Sequence, residues 1–147
     1  MSKTFLTTED DHIVEQGRSN GWDYRKWANG VAECWRTVTA PVKTTDWNDS
    51  GMLSFPLLSG FGLFWTKGIM SGKDIQLDYP FAFVARPVET AFMTTTLQES
   101  GKYFPLTLIS ATSKQTDKTD AYRLCTYKKL EEDIEATISF NVIGRWK

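Results

Sequence analysis

The chain has 147 residues, of which 41% are hydrophobic and 24% are charged, and its formal net charge is −1, so it can form one domain with one hydrophobic core. Its lysines and arginines form no basic stripe, and no segment is apolar enough for a signal peptide or a membrane span. We therefore expect a soluble protein that is made in a cytoplasm, with neither nucleic acid nor membrane insertion among its interactions.

The first residues are polar and include an acidic run at positions 9–11. We interpret residues 1–12 as a leader or linker and residues 13–147 as a single domain. His12, the one histidine, could act as a metal ligand or a base, but a position near a terminus is more typical of a solvated side chain. One histidine and two separated cysteines provide neither a zinc or copper site nor a catalytic triad.

The segment Gly21–Arg36 is dense in aromatic residues, and we expect the fold to be organised around it. Ala28-Asn29-Gly30 separates two alternating segments, and its Asn-Gly is a strong hairpin signal because both residues tolerate the positive φ of tight turns. Neither predicted face of this hairpin is purely apolar, so it needs partners on both sides, from its own chain or from a neighbouring subunit. Before it we predict a brief strand at Ile13–Gln16 and a turn at Gly17–Gly21.

The remaining segments are short, apolar or alternating, and turn-forming residues separate them. We therefore predict an all-β fold, an antiparallel β-sandwich of about eight to ten strands with less than about one-tenth helix. The further predicted strands are Val31–Val42, Met52–Leu58, Leu63–Lys67, Phe81–Ala85, Val88–Leu97, Phe104–Thr112, Ala121–Lys128 and Ile134–Trp146. Its core is expected to contain Trp35, Phe81, Phe83, Phe92, Leu106, Leu108, Leu124, Ile138 and Phe140.

Two strings of residues carry a family resemblance. YRKWANGVAECW, together with the final IGRWK, resembles the C-terminal domain of tail-fibre and minor tail proteins of phages and prophages of Gram-positive bacteria. The matching residues are Trp22, Tyr24, Arg25, Lys26, Trp27, Gly30, Ala32, Glu33, Cys34 and Trp35, then Ile143 to Lys147. The resemblance implies a virion tail protein that is made in the host bacterial cytoplasm, contacts other tail proteins and forms a homotrimer.

The six tryptophans and nine phenylalanines are more than one thin sandwich needs, and such a surplus is usually covered at a subunit interface. We place Trp22, Tyr24, Arg25 and Trp27 at that interface. Glu33 is expected to pair with Arg25, Lys26 or Arg145. Cys34 and Cys125 are expected to be buried free thiols, because a disulfide would require adjacent strands.

No motif for catalysis or cofactor binding occurs, so no catalytic residue and no cofactor is predicted. Acidic residues that could form a glycosidase pair are Asp46 with Asp49, or Glu131 with Glu132 and Asp133. Turn formation and a solvated charged corner are the alternative interpretations of these two groups.

A ligand site is predicted in the loop Thr44–Gly51, at Trp47 with Asp46, Asn48 and Asp49. An indole stacks on sugar C–H groups while amide and carboxylate groups bind hydroxyls. The alternative is that Trp47 folds back over the end of the sandwich. Together with this site, the resemblance implies a tail-appendage tip that recognises a cell-surface saccharide or another host receptor, and this is the favoured function. The alternatives are a lectin-like glycan-binding module of bacterial or prophage origin and, third, a glycan-cleaving enzyme.

Overall fold

The computed structural model describes residues 12–42, 52–56, 63–67, 75–95, 106–112, 115–126 and 133–147. Within these ranges the fold is all-β and antiparallel, as predicted, and no helix that could cross a membrane is found. The strands are β1 (Ile13–Ser19), β2 (Trp22–Trp27), β3 (Val31–Val42), β4 (Met52–Pro56), β5 (Leu63–Lys67), β6 (Val88–Thr95), β7 (Leu106–Ala111), β8 (Ala121–Thr126) and β9 (Ile134–Arg145).

The larger sheet contains five strands in the order β1-β2-β3-β9-β6, and β4-β5 and β7-β8 form two-stranded sheets. β3 and β9 lie at its centre and pair without interruption from Val31 with Arg145 to Val42 with Ile134. The predicted lengths of both strands are confirmed within one residue. The shorter strands add to either side of this central pair.

The turn between β1 and β2 differs from the prediction. Asn20 (φ 54°) and Gly21 (φ 84°) are both left-handed, and Ser19 pairs with Trp22 across them. This is the geometry of a two-residue type I′ turn, whose twist matches that of the flanking strands. The first strand therefore does not end at Gln16, and the predicted turn at Gly17–Gly21 is reduced to its last two residues.

The predicted hairpin between β2 and β3 is confirmed, and its turn consists of the predicted residues Ala28-Asn29-Gly30. Only Gly30 (φ 95°) is left-handed, and its N–H donates to the Trp27 carbonyl at 3.0 Å. The Asn29 side chain accepts from the Val31 N–H at 3.0 Å. Asn29 thus contributes through its side chain and not through a left-handed backbone. A Cβ at position 30 would lie 2.9 Å from the Lys147 carbonyl oxygen, so glycine is also required sterically.

One face of the large sheet packs against a second layer made by residues 75–85 and the β7-β8 hairpin. Backbone bridges join Ile75 to Tyr122 and Asp78 to Lys118. Residues 80–85 are irregular, so the strand predicted at Phe81–Ala85 is wrong. The buried apolar cluster between the layers comprises Trp22, Ala32, Cys34, Tyr79, Phe83, Tyr122, Leu124, Ile134, Ala136, Ile138, Phe140 and Val142.

The predicted core is correct in part. Phe83, Leu124, Ile138 and Phe140 are buried, and Phe81 and Leu108 pack against them partly buried. The side chain of Leu106 lies outside the described part. The prediction that Trp35 and Phe92 lie in the core is wrong, because the register places both on the opposite face of the sheet.

Cys34 is free and buried, as predicted. Burial is the main cause that raises the pKa of its thiol to about 12. The side chain of Cys125 lies outside the described part, so the prediction for it stays a prediction.

The residues that carry the family resemblance meet around Lys26. Its ammonium lies 4.7 Å from the Phe81 ring centroid, 5.3 Å from that of Trp146 and 5.9 Å from that of Tyr24, and it pairs with Glu15 at 3.0 Å. The Lys26 side chain is only 17% exposed, so these aromatic faces replace much of its water.

The final IGRWK residues join the hairpin at the same place. Trp146 Nε1 donates to the Trp27 carbonyl at 2.9 Å, and Arg145 Nη2 donates to the Asn29 carbonyl at 3.0 Å. The two strings of the resemblance are therefore one contiguous network that joins β2, β3 and β9.

Replacing Lys26 by methionine should lower the free energy of unfolding by about 1–2 kcal/mol, because the cation is lost while the apolar stem is kept. Glu15→Gln should cost less than Lys26→Met, since the Glu15 side chain is 50% exposed and an exposed ion pair contributes little. Urea denaturation of both variants measures the difference. An equal loss in the two would show that the ion pair, and not the aromatic cluster, stabilises this lysine.

Candidate functional site

The face of the large sheet opposite the core is the candidate functional surface, and we call it the open face. Cross-strand pairing aligns its side chains in rows that run through all five strands. One row contains Gln16, Arg25, Glu33, Ile143 and Val88. The next row contains Arg18, Asp23, Trp35, Asn141 and Thr90.

Three large apolar side chains of the open face are unusually exposed. Val88 is 74% exposed, Phe92 63% and Ile143 53%. Val88 pairs with Ile143, and Phe92 lies four residues along β6 on the same side, beyond the polar pair Thr90 and Asn141. We call these three side chains the apolar patch. A recess of about 280 Å³ begins at Ile143 and is lined further by Trp27, Asn29, Val31 and Glu33.

The β1-β2-β3 part of the open face is polar. It contains a recess of about 410 Å³ lined by Gln16, Gly17, Arg18, Asp23, Tyr24, Arg25 and Trp35, which we call the Trp35 recess. The Arg25 guanidinium carbon lies 5.1 Å from the Trp35 ring centroid, and Arg25 Nη1 lies 3.6 Å from Glu33 Oε1. Of the three predicted partners of Glu33, the structure thus selects Arg25. The recess combines one aromatic surface with carboxylate, amide and guanidinium groups.

The charges of the open face balance. Its strand residues in the described ranges include three arginines, three acidic residues and no lysine, so their formal charges sum to zero. They are Arg18, Arg25 and Arg145, and Asp23, Glu33 and Glu135.

The predicted interface residues separate into two groups. Trp22 is fully buried, forms an edge contact with Tyr79 at 5.6 Å and donates from Nε1 to the Asp78 carbonyl at 2.7 Å. It is a core residue, so its side chain cannot reach a neighbouring subunit. Tyr24 points to the core side, where its ring packs against Phe81. Arg25 and Trp27 lie on the open face.

The predicted ligand residues Asp46, Trp47, Asn48 and Asp49 lie outside the described residues, as do the acidic candidates Glu131 and Glu132. Asp133 is exposed. His12 is exposed, and its carbonyl accepts from the Ala28 N–H at 2.9 Å, which extends the β1-β2 pairing by one bond. No group of three or more side chains able to hold a metal ion occurs within the described ranges.

A polar cluster at the inner face was not predicted. The Glu89 carboxylate accepts from the hydroxyls of Tyr79 and Tyr122, and from the Asp120 N–H at 3.1 Å. Asp120 in turn accepts from Arg86 at 3.1 Å. The partners of Glu89 lie 10, 31 and 33 positions away, so spacing along the sequence gives no sign of the cluster. It joins β6 to the second layer and satisfies two buried hydroxyls.

Burial and then the bond to Glu89 raise the pKa of both Tyr79 and Tyr122 above the ordinary tyrosine value of 10.0. As the pH rises past about 10, the unfolded chain therefore loses these protons before the folded chain does. The stability that these two tyrosines contribute is complete below about pH 10. Above about pH 10 the free energy of unfolding should fall, by up to about 1.4 kcal/mol per pH unit for each tyrosine.

Urea denaturation at several alkaline pH values measures this slope in the wild type and in Tyr122→Phe. The variant should be less stable near pH 8, because one buried hydrogen bond is lost, yet its stability should fall less steeply above about pH 10. Equal slopes in the two proteins would contradict the assignment.

Comparison with known proteins gives a structural likeness alone. No protein-family model matches the chain, and no curated protein sequence matches it. Similar solved structures include the P. aeruginosa R1 pyocin fiber, with a TM-score of 0.46 and 14% identity over 88% of this chain and 27% of that chain. Another is an N-truncated R1-type pyocin tail fiber, with a TM-score of 0.46 and 13% identity over 88% of this chain and 84% of that chain. The chain thus spans about a quarter of the first fibre structure, and its function is inferred from its own residues.

Proposed function

We propose that this chain is a structural domain of a phage-type tail appendage, that it assembles as a homotrimer, and that it takes part in recognition of the host surface. The observation that carries the proposal is the apolar patch, three large side chains each more than half exposed on one face of a sheet. Such a patch is typical of a surface that another protein covers. The occupant we propose is a second copy of this chain.

Charge supports a copy of the same chain as the occupant. A face that meets its own copies must not repel them, and the open face carries equal numbers of positive and negative residues. Its arginines and its aromatic residues are also the types that concentrate at protein interfaces, where lysine is depleted.

The position of the apolar patch limits where copies would meet. Val88 pairs with Ile143, so the patch lies on the β9-β6 side of the open face. A contact between copies on that side leaves the β1-β2-β3 side uncovered. The number three comes from the resemblance to tail-fibre proteins and not from this geometry.

The contact network around Lys26 supports the proposal that the domain belongs to a tail appendage. The two strings that resemble tail-fibre domains lie on different strands, yet their side chains contact each other directly. The resemblance therefore concerns one physical unit of the fold. With it we propose a virion location and contacts with other tail proteins, and we retain the single domain at residues 13–147 as part of the proposal.

A lectin-like glycan-binding module is the second candidate function, and the Trp35 recess is the observation that favours it. We propose no catalytic residue. The predicted saccharide contact at Trp47 stays a prediction.

Phe92→Glu and Val88→Glu should each convert the assembled protein to a monomer, because a charge in the apolar patch would be desolvated on association. Light scattering coupled to size exclusion at micromolar concentration measures the mass. Val14→Glu is the matched control, since Val14 is 46% exposed but lies on β1, at the other edge of the sheet. A wild type that is monomeric, or a Phe92→Glu variant that still assembles, would overturn the proposal.

A further inference from the structure

We infer that the Trp35 recess binds one pyranose ring of a neutral saccharide. The inference rests on the proposed role at the host surface, for which it supplies the class of ligand and the site. The site differs from the predicted loop at Thr44–Gly51, and the register of the large sheet creates it. Trp35 on β3, Asp23 on β2 and Arg18 on β1 lie in one row of the open face.

The recess has the size and the chemistry of a sugar site. A volume of about 410 Å³ lies within the range of small-ligand pockets and exceeds one sugar ring, which leaves room for a second. Trp35 borders this volume, and we assign the stacking contact with the C–H face of a pyranose to the part of its indole that the Arg25 guanidinium does not cover. Around it, Asp23 and Gln16 offer acceptors and donors for hydroxyl groups.

Arg25 fixes the orientation of the aromatic surface. Its guanidinium lies on the Trp35 ring at 5.1 Å and is itself held by Glu33 at 3.6 Å. An indole held in this way loses little conformational entropy when a ligand stacks on it. The recess is therefore expected to bind a single sugar weakly, as a shallow surface does.

The charge of the recess favours a neutral ligand. Arg18 and Arg25 line it together with Asp23, and Glu33 pairs with Arg25, so two positive charges face two negative ones. A polyanion such as a phosphate-rich polymer would gain no net attraction. A neutral sugar needs no net electrostatic attraction, and its affinity should therefore change little with salt concentration.

The position of the recess is compatible with assembly. It lies over β1, β2 and β3, whereas the apolar patch lies over β9 and β6. Copies that contact one another through the patch would leave the recess open, and several recesses on one particle would raise the apparent affinity through effective concentration.

The test is a titration of the ¹⁵N-labelled full chain with methyl glucoside, methyl galactoside, N-acetylglucosamine and rhamnose, each at millimolar concentration, with inorganic phosphate in a parallel arm. The Trp35 indole N–H signal, assigned by its disappearance in Trp35→Phe, should shift and saturate with at least one sugar and not with phosphate. Trp35→Ala should weaken binding roughly tenfold or more. Asp23→Asn, which keeps the shape of the side chain, should weaken binding to a smaller extent.

Trp27→Phe is the matched control, because Trp27 lies on the same face outside the recess. It should bind the sugar as the wild type does. The inference fails if no sugar shifts the Trp35 signal, if phosphate alone shifts it, or if Trp47→Ala abolishes binding while Trp35→Ala does not.

The mass of each variant separates this test from that of the proposed function. A monomeric wild type whose Trp35 signal still responds to sugar rejects the trimer and supports the site. An assembled wild type whose Trp35 signal does not respond to sugar supports assembly and rejects the site.

Discussion

The pairing of β3 with β9 is the interaction on which the rest of the molecule depends. Twelve consecutive residues of each strand are in register, and successive side chains must alternate between the two faces. Phe140 and Val142 therefore point into the core, while Asn141 and Ile143 point outward. A shift by one residue would exchange the two sets, so burial of Ile138, Phe140 and Val142 fixes the register and, with it, every row of the open face.

The two faces are stabilised by different physics. The inner face combines aromatic packing with one carboxylate that satisfies two buried tyrosine hydroxyls, an arrangement that would be costly if any partner were missing. The open face has the ion pair of Arg25 with Glu33, the half-buried indole of Trp35 and exposed apolar side chains, which contribute little to the stability of one chain. Features with little structural value on such a surface are best explained by contacts with other molecules.

Much of the fold could be predicted from the sequence because strand periodicity is a local property. The alternation along Ile134–Trp146 and the Asn29-Gly30 turn gave β9 and the β2-β3 hairpin. The assumption that large aromatic residues face inward misplaced Trp35 and Phe92, whose side is set by partners on other strands. The interface prediction for Trp22 errs in the opposite direction for the same reason. Its burial depends on Tyr79 and Asp78, far along the chain. The Trp35 recess and the Glu89 cluster could not be predicted at all, because each is assembled from separate strands by the register.

The position of β9 in the sheet has a consequence for the order of folding. Val38 pairs with Ile138, one hundred residues later, and β6 also needs β9 as its partner. On the ribosome, β3 and β6 thus wait with unpaired edges until β9 has emerged, which makes folding slow and nascent chains prone to wrong associations. The apolar patch has the same dependence, since Ile143 of β9 completes it. A chain still being synthesised therefore lacks a finished apolar patch until β9 has paired with β6.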